Sequence, residues 1–104
     1  MIHKSSFVHP STKIHKTTKV WHFCNILKNS SIGKNCVIGQ NVMIGENVKI
    51  GDNVKIQAQA GVTSDVESNA RITGTPAIPF MNYNKSYIHF KNLPEIVKKI
   101  DKID

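Results

Sequence analysis

The sequence predicts an all-β protein, a left-handed parallel β-helix with a C-terminal α-helical tail, on three observations. Stepping by six from Val8 meets Ile14, Val20, Ile26, Ile32, Ile38, Ile44, Ile50, Ile56 and Val62, ten β-branched aliphatics without a break. Four positions after each comes a small residue: Thr12, Thr18, Cys24, Ser30, Cys36, Val42, Val48, Val54, Ala60 and Val66. Gly33, Gly39, Gly45 and Gly51 directly follow four of the aliphatics, and Asn29, Asn35, Asn41, Asn47 and Asn53 recur two positions further on from that place. An α-helix of 3.6 residues per turn cannot keep a strict period of six on one face, and a period of two does not impose the large-then-small order.

Residues 1–7 form a lead-in, and residues 8–67 form the prism. Each hexad makes one wall, and three hexads make an 18-residue turn. The aliphatic fills the interior, the small residue fits where walls converge, and Gly and Asn suit the corners because they tolerate left-handed or tight backbone. Ten hexads give about three turns, and at ~4.8 Å per turn the prism is only about 16 Å tall. So short a solenoid has few interfaces between turns, which predicts packing around a threefold axis as a homotrimer. The outward apolar residues Val37 and Met43 are the expected contacts. Residues 68–91 read as an exit loop and linker, where Pro76 and Pro79 forbid regular continuation. Residues 92–104 read as an amphipathic helix, with Leu93, Ile96, Val97, Ile100 and Ile103 on one face and Lys98, Lys99 and Lys102 on the other. Pro94 fits the first turn of that helix.

Composition narrows the function classes. At 104 residues and 39% hydrophobic, the chain is one small domain. No segment approaches the ~18 apolar residues of a membrane span. The opening MIHKSSFVHP lacks the apolar core of a signal peptide, so a cytoplasmic location is expected. Two cysteines make neither a disulfide scaffold nor a four-ligand zinc site, and no metal is predicted. Cys24 and Cys36 occupy the inward small position, where a buried thiol is a poor nucleophile. The net charge of +7 suggests an acidic partner. Nucleic acid is not expected, because the lysines are spread over several faces and only one Trp, two Tyr and four Phe are available for stacking.

Hexapeptide repeats with this phasing resemble the hexapeptide acyltransferases, trimers that move acyl groups from coenzyme A or acyl carrier protein. Residues 52–100 are similar to the last turn, exit loop and tail of the UDP-3-O-acylglucosamine N-acyltransferases of lipid A synthesis. The landmarks are Ala58-Gln59-Ala60-Gly61-Val62-Thr63, Gly74-Thr75-Pro76-Ala77, and Phe90 with Leu93-Pro94-Glu95. Residues 20–57, opening on Trp21-His22-Phe23, resemble the N-acetyltransferases that acetylate the 3-amino group of UDP-linked diamino-uronic acids. The lipid A enzymes carry a uridine-binding domain before their prism, whereas here the repeats begin at Val8, and several turns are missing. The amino-sugar acetyltransferases place two asparagines where this chain has Ala58-Gln59.

The resemblance implies acyl transfer to an amine, which needs a proton acceptor and donors for the developing oxyanion. Of five histidines, His22 sits two positions after an inward aliphatic, as the lipid A family's catalytic histidine does. It is followed by Phe23 rather than the Asn or Asp common there, so the next residue supplies no orienting carboxylate. The other reading makes Trp21, His22 and Phe23 an aromatic interface patch. His3, His9, His15 and His89 read as surface or packing residues. Gln40 falls one turn beneath His22 and is a candidate partner for the ring. Gly74, Thr75, Pro76 and Ala77 either admit the backbone to a pantetheine arm or simply turn the chain off the prism. Lys98 and Lys99 either form a solvated face or attract an acidic carrier protein.

Three functions stay open on the sequence. The first is an N-acyltransferase of lipid A type, using an acyl carrier protein or coenzyme A thioester with no bound cofactor and acting on a nucleotide sugar. The second is an acetyl-coenzyme A dependent UDP-amino-sugar N-acetyltransferase. The third is a non-catalytic, truncated structural trimer.

Overall fold

The computed structural model describes residues 1–103. Ten two-residue strands follow the aliphatic row: β1 (Phe7–Val8), β2 (Lys13–Ile14), β3 (Lys19–Val20), β4 (Asn25–Ile26), β5 (Ser31–Ile32), β6 (Val37–Ile38), β7 (Met43–Ile44), β8 (Lys49–Ile50), β9 (Lys55–Ile56) and β10 (Gly61–Val62). After them come β11 (Arg71–Thr73), β12 (Ile78–Pro79), α1 (Phe80–Lys91) and α2 (Leu93–Asp101). The strands stack into three walls, ordered β12-β11-β9-β6-β3, β1-β4-β7-β10 and β2-β5-β8. We number these walls first, second and third. Every stacked pair is parallel except β11 with β12. The molecule is a parallel β-solenoid of about four turns with two C-terminal helices.

The register shows why six is the period. Val20 lies over Ile38 and Ile38 over Ile56, while Ile26 lies over Ile44 and Ile44 over Val62. Like side chains therefore stack on like, and the interior becomes one column of branched aliphatics lined by the small residues. Val20, Ile26, Ile38 and Ile44 are wholly buried. The small position also bonds the turns together. The Thr18 and Ser30 hydroxyls donate to the carbonyls of Gly33 and Gly45. Cys24 and Cys36, free and buried as expected, do the same with their thiols toward Gly39 and Gly51 at 3.0 and 3.1 Å.

Several expectations need correction. The ladder runs beyond both expected ends, because Ile2 pairs with Val20 above and Val66 and Ile72 pair with Ile50 and Ile56 below. Ile2, Val20, Ile38, Ile56 and Ile72 give one wall five layers, separated by four steps of ~4.8 Å that span about 19 Å rather than 16. Residues 1–7 are thus part of the repeat. Val66, expected as a small-position residue, occupies the aliphatic row instead. The wall between Val62 and Val66 is two residues short, so the last turn returns after 16 residues and the repeat does not fail at Glu67.

The glycines have another reason than the expected one. Positive φ falls on Asn29, Asn35, Asn41, Asn47 and Asn53, and also on Phe23, Gln59 and Asn69, whereas among glycines only Gly74 has it. Gly39 is instead required by close stacking, since a Cβ there would lie 2.7 Å from the backbone nitrogen of Ala58 on the next turn.

The expected linker of residues 68–91 contains β11, β12 and the twelve-residue helix α1. Pro79 stands just before α1 and does not interrupt it. Phe80, Tyr83, Tyr87 and Phe90 recur at spacings of three and four and give the helix an aromatic stripe. Phe80 packs under the Arg71 guanidinium at 4.2 Å, and Tyr83 and Tyr87 stack at 6.2 Å. The tail helix forms as α2 with Pro94 in its first turn, and Asp104 of the expected span lies outside the described residues. Leu93, Val97 and Ile100 are exposed, so the apolar face of α2 is uncovered in the protomer. No described helix is long and apolar enough to cross a membrane.

Candidate active site

The edge where the first wall turns into the second gathers most of the sequence candidates. Its successive layers read His3-Lys4-Ser5, Trp21-His22-Phe23, Gly39-Gln40-Asn41 and Gln57-Ala58-Gln59, with Gly74-Thr75 of the exit segment beneath. Backbone bonds tie these layers together. Asn41 N–H donates to His22 C=O and Gln59 N–H to Gln40 C=O, both at 2.9 Å. The Thr75 hydroxyl donates to Gln59 C=O at 3.1 Å, and Gly61 N–H reaches Gly74 C=O at 3.0 Å. His22, Gln40, Gly74 and Thr75 therefore lie along one line, with His22 about 14 Å above the exit segment if each layer rises ~4.8 Å.

His22 is half-buried and sits among rings. His3 lies over it at 3.7 Å between centroids, tilted by 34°. Trp21 is near-parallel at 6.3 Å, and Phe23 is 6.1 Å away. Among the described residues, no hydrogen bond reaches the His22 ring, and Gln40 does not reach it either. Phe23 adopts φ +58°, which turns the chain into the second wall where the two layers below use Asn41 and Gln59.

The chemistry of this edge differs from that of the other two. Its tips below Lys4 are His22, Gln40 and Ala58, with no lysine, arginine or carboxylate among them. The second-to-third edge carries Lys28 and Glu46, and the third-to-first edge carries Lys16, Lys34 and Asp52. Trp21, Phe23, Val37 and Met43, all exposed, flank the His22 edge on both walls. Val37 is on the first wall and Met43 on the second, so the expected contact residues straddle the edge rather than sharing a wall.

Pro76 and Ala77 carry the chain away from the edge, with Ala77 N–H bonded to Gly61 C=O at 2.8 Å. At this lower end a recess of about 360 Å³ opens between the exit segment and α1, lined by Thr75, Pro76, Ile78, Tyr83, Tyr87 and Phe90. Tyr83 crowds Gly74, where a Cβ would meet its ring at 2.7 Å. Lys98 and Lys99 are not part of this site. They lie on α2, which packs on α1, and Lys98 is 3.7 Å from Glu95 at the surface. A larger trough of about 580 Å³ crosses the third wall, lined by Lys13, His15, Ser31, Lys34, Lys49 and Asp52 among others. Its one imidazole, His15, has its Nδ1 engaged with Thr17 at the corner. We place the candidate site at the His22 edge. No cluster of metal-ligating side chains occurs among the described residues.

Residues 11–46 and 29–64 each match the family described as bacterial transferase hexapeptide (six repeats), together just over half the chain. The chain belongs to that family. A 40-residue stretch, 38% of the chain, is 45% identical to the UDP-3-O-acylglucosamine N-acyltransferase of Christiangramia forsetii. That stretch is 12% of the relative's length. In fold the chain resembles the acetyltransferase domain of PglB from Neisseria gonorrhoeae FA1090 in complex with acetyl coenzyme A. The TM-score is 0.55 at 20% identity, over 76% of this chain and 56% of that one. A second structure of that domain gives 0.55 and 20%, over 77% and 57%. The hexapeptide acyltransferase fold is thus established, and at such identity the likeness is one of fold.

Proposed function

We propose that the protein is an N-acyltransferase that moves an acyl group from a thioester to the amine of a UDP-linked amino sugar. The observation that carries this reading is the His22 edge, a half-buried imidazole above an exit segment with an aromatic recess at its foot. The partial match to a UDP-3-O-acylglucosamine N-acyltransferase supports the acceptor, and the fold relative that binds acetyl coenzyme A supports a coenzyme A donor. In this reading the amine lone pair attacks the thioester carbonyl carbon, and the amine proton passes to the unprotonated nitrogen of His22. Collapse of the tetrahedral intermediate breaks the C–S bond, and the departing thiolate takes the proton back. The amide and a free thiol are the products.

Three copies around a threefold axis would cover the apolar residues beside the His22 edge and place a neighbour's wall across the site. Gln40 and the Gly74-Thr75 segment then line the path of the donor's pantetheine arm, and Pro76 and Ala77 lead it toward the recess. The test is release of free thiol by purified protein from acetyl coenzyme A and from acylated carrier protein, with UDP-amino sugars as acceptors. Turnover is expected in the parent. His22→Ala should lower it by about 10²- to 10⁴-fold, toward the lower end since no carboxylate supports the ring. Absence of turnover in the parent would leave the Trp21, His22 and Phe23 rings as an interface patch of a structural trimer.

A further inference from the structure

Three His-x-Ser/Thr triplets build the corners of the uppermost turn: His3-Lys4-Ser5, His9-Pro10-Ser11 and His15-Lys16-Thr17. In each, the backbone N–H two residues on donates to the histidine Nδ1 at 3.1 to 3.2 Å, and the hydroxyl lies 2.8 Å from the same nitrogen. Nδ1 is therefore an acceptor, and the neutral ring carries its proton on Nε2. The hydroxyl in turn accepts an N–H from the turn below, from Phe23, Asn29 and Asn35 respectively, at 2.9 Å. The motif thus fixes both the tautomer and the orientation of each imidazole.

Only one of the three meets another ring. Beneath His9 and His15 the next layer offers Leu27-Lys28 and Gly33-Lys34, but beneath His3 it offers Trp21-His22, and the His3 ring packs over His22 at 3.7 Å between centroids, tilted by 34°. A closed circuit results. The peptide just after His22 donates through Phe23 N–H to Ser5 Oγ, Ser5 holds His3 Nδ1, and the His3 ring lies back on His22.

We propose that His3 is a positioning residue for His22, doing by close ring-on-ring packing what a hydrogen-bonded side chain would otherwise do. The inference rests on the reading of His22 as the proton acceptor. The absent Asn or Asp after His22 then has a physical substitute, since the closely packed, tautomer-locked imidazole of His3 restricts rotation of the His22 ring. The His22 ring nitrogens stay free for substrate, since no hydrogen bond among the described residues occupies them.

Two substitutions separate positioning from corner building. His3→Asn keeps an acceptor for Ser5 N–H, as in an Asx-turn, but has no ring. His3→Phe keeps a ring but accepts no hydrogen bond. In the parent, NMR should show contacts between the ring protons of His3 and His22, with the His22 protons shifted upfield by the ring above them. Positioning predicts that His3→Asn moves those resonances downfield and lowers kcat by about 10- to 100-fold with KM little changed. His3→Phe should keep the upfield shift and restore most of kcat. A merely structural role predicts the reverse, with Asn tolerated and Phe defective, and that pattern would overturn the proposal. So would His22 resonances that ignore both changes in a folded protein. If the parent shows no turnover, the acyltransferase reading fails by itself, and the resonances alone decide whether His3 orients His22.

Discussion

Replacing Gly39 by alanine tests the claim that the glycines serve contact between turns and not backbone conformation. An added Cβ would stand 2.7 Å from Ala58 N, 3.0 Å from Ala58 Cα and 3.1 Å from Ile56 C=O, all of them backbone atoms of the turn below. At Gly45 the nearest atom would be Val62 C=O at 3.4 Å, an ordinary contact. Neither glycine has positive φ, so intrinsic strain is the same at both. Overpacking typically costs about 1–3 kcal/mol, and the smaller entropy of the unfolded alanine chain returns about 0.4–1 kcal/mol. Gly39→Ala should then cost up to about 2.6 kcal/mol, with a midpoint of about 1.3 kcal/mol, and Gly45→Ala should be neutral or stabilising by up to about 1 kcal/mol. In a domain of this size each kcal/mol shifts Tm by about 4–8 °C. Urea unfolding at one fixed protomer concentration measures both, since association would otherwise move the midpoint. Equal midpoints, or a greater loss at Gly45, would refute the reasoning.

Cys24→Ser should change stability by less than about 1 kcal/mol, because Ser30 already makes the same inter-turn bond. Cys24→Val lacks the donor and should cost more in the same urea series. Both thiols should resist modification until the chain unfolds, as a thiol-reagent time course would show. Sedimentation equilibrium should give about three times 11.6 kDa; a monomer would remove the neighbour's wall from the proposed site. Lys98→Glu with Lys99→Glu should leave turnover of coenzyme A thioesters unchanged and weaken any use of acyl carrier protein in a salt-sensitive way. Unchanged use of the carrier would clear the α2 lysines of that role.

The aliphatic row was legible because a wall of a solenoid repeats one environment at one spacing, and branched side chains record it. What composition cannot record is the reason a residue is small. Gly39 and Asn41 both mark a corner, but only Asn41 takes positive φ, and the crowding at Gly39 comes from residues 17 to 19 positions away. Val66 was misplaced for a related reason. A shortened wall puts two row positions four residues apart, the same spacing as an aliphatic and its small partner. His3 fell outside the count that began at Val8, although Ile2-His3-x-Ser5 repeats Val8-His9-x-Ser11 and Ile14-His15-x-Thr17. The α1 stripe is aromatic and interleaved with Asn82, Asn84 and Ser86, poor helix formers, so its spacing was masked by its composition. Of the site, Gln40 falls beneath His22 by counting 18 residues per turn, but Gly74-Thr75 comes into line only through the shortened 16-residue last turn, and the ring above His22 only through the register of the first turn.

The reversed strand β12 also bears on the fate of the molecule at high concentration. A parallel ladder has no intrinsic stopping point, because each rung presents the same unpaired backbone groups to whatever comes next, including another chain. Here the rung below Ile72 belongs to the same chain, runs the opposite way for two residues and ends on Pro79, which has no N–H to offer. Filament growth from that end of the first wall is thereby denied a template. The protein can repeat one motif through most of its length without becoming a seed for fibres of itself on that wall.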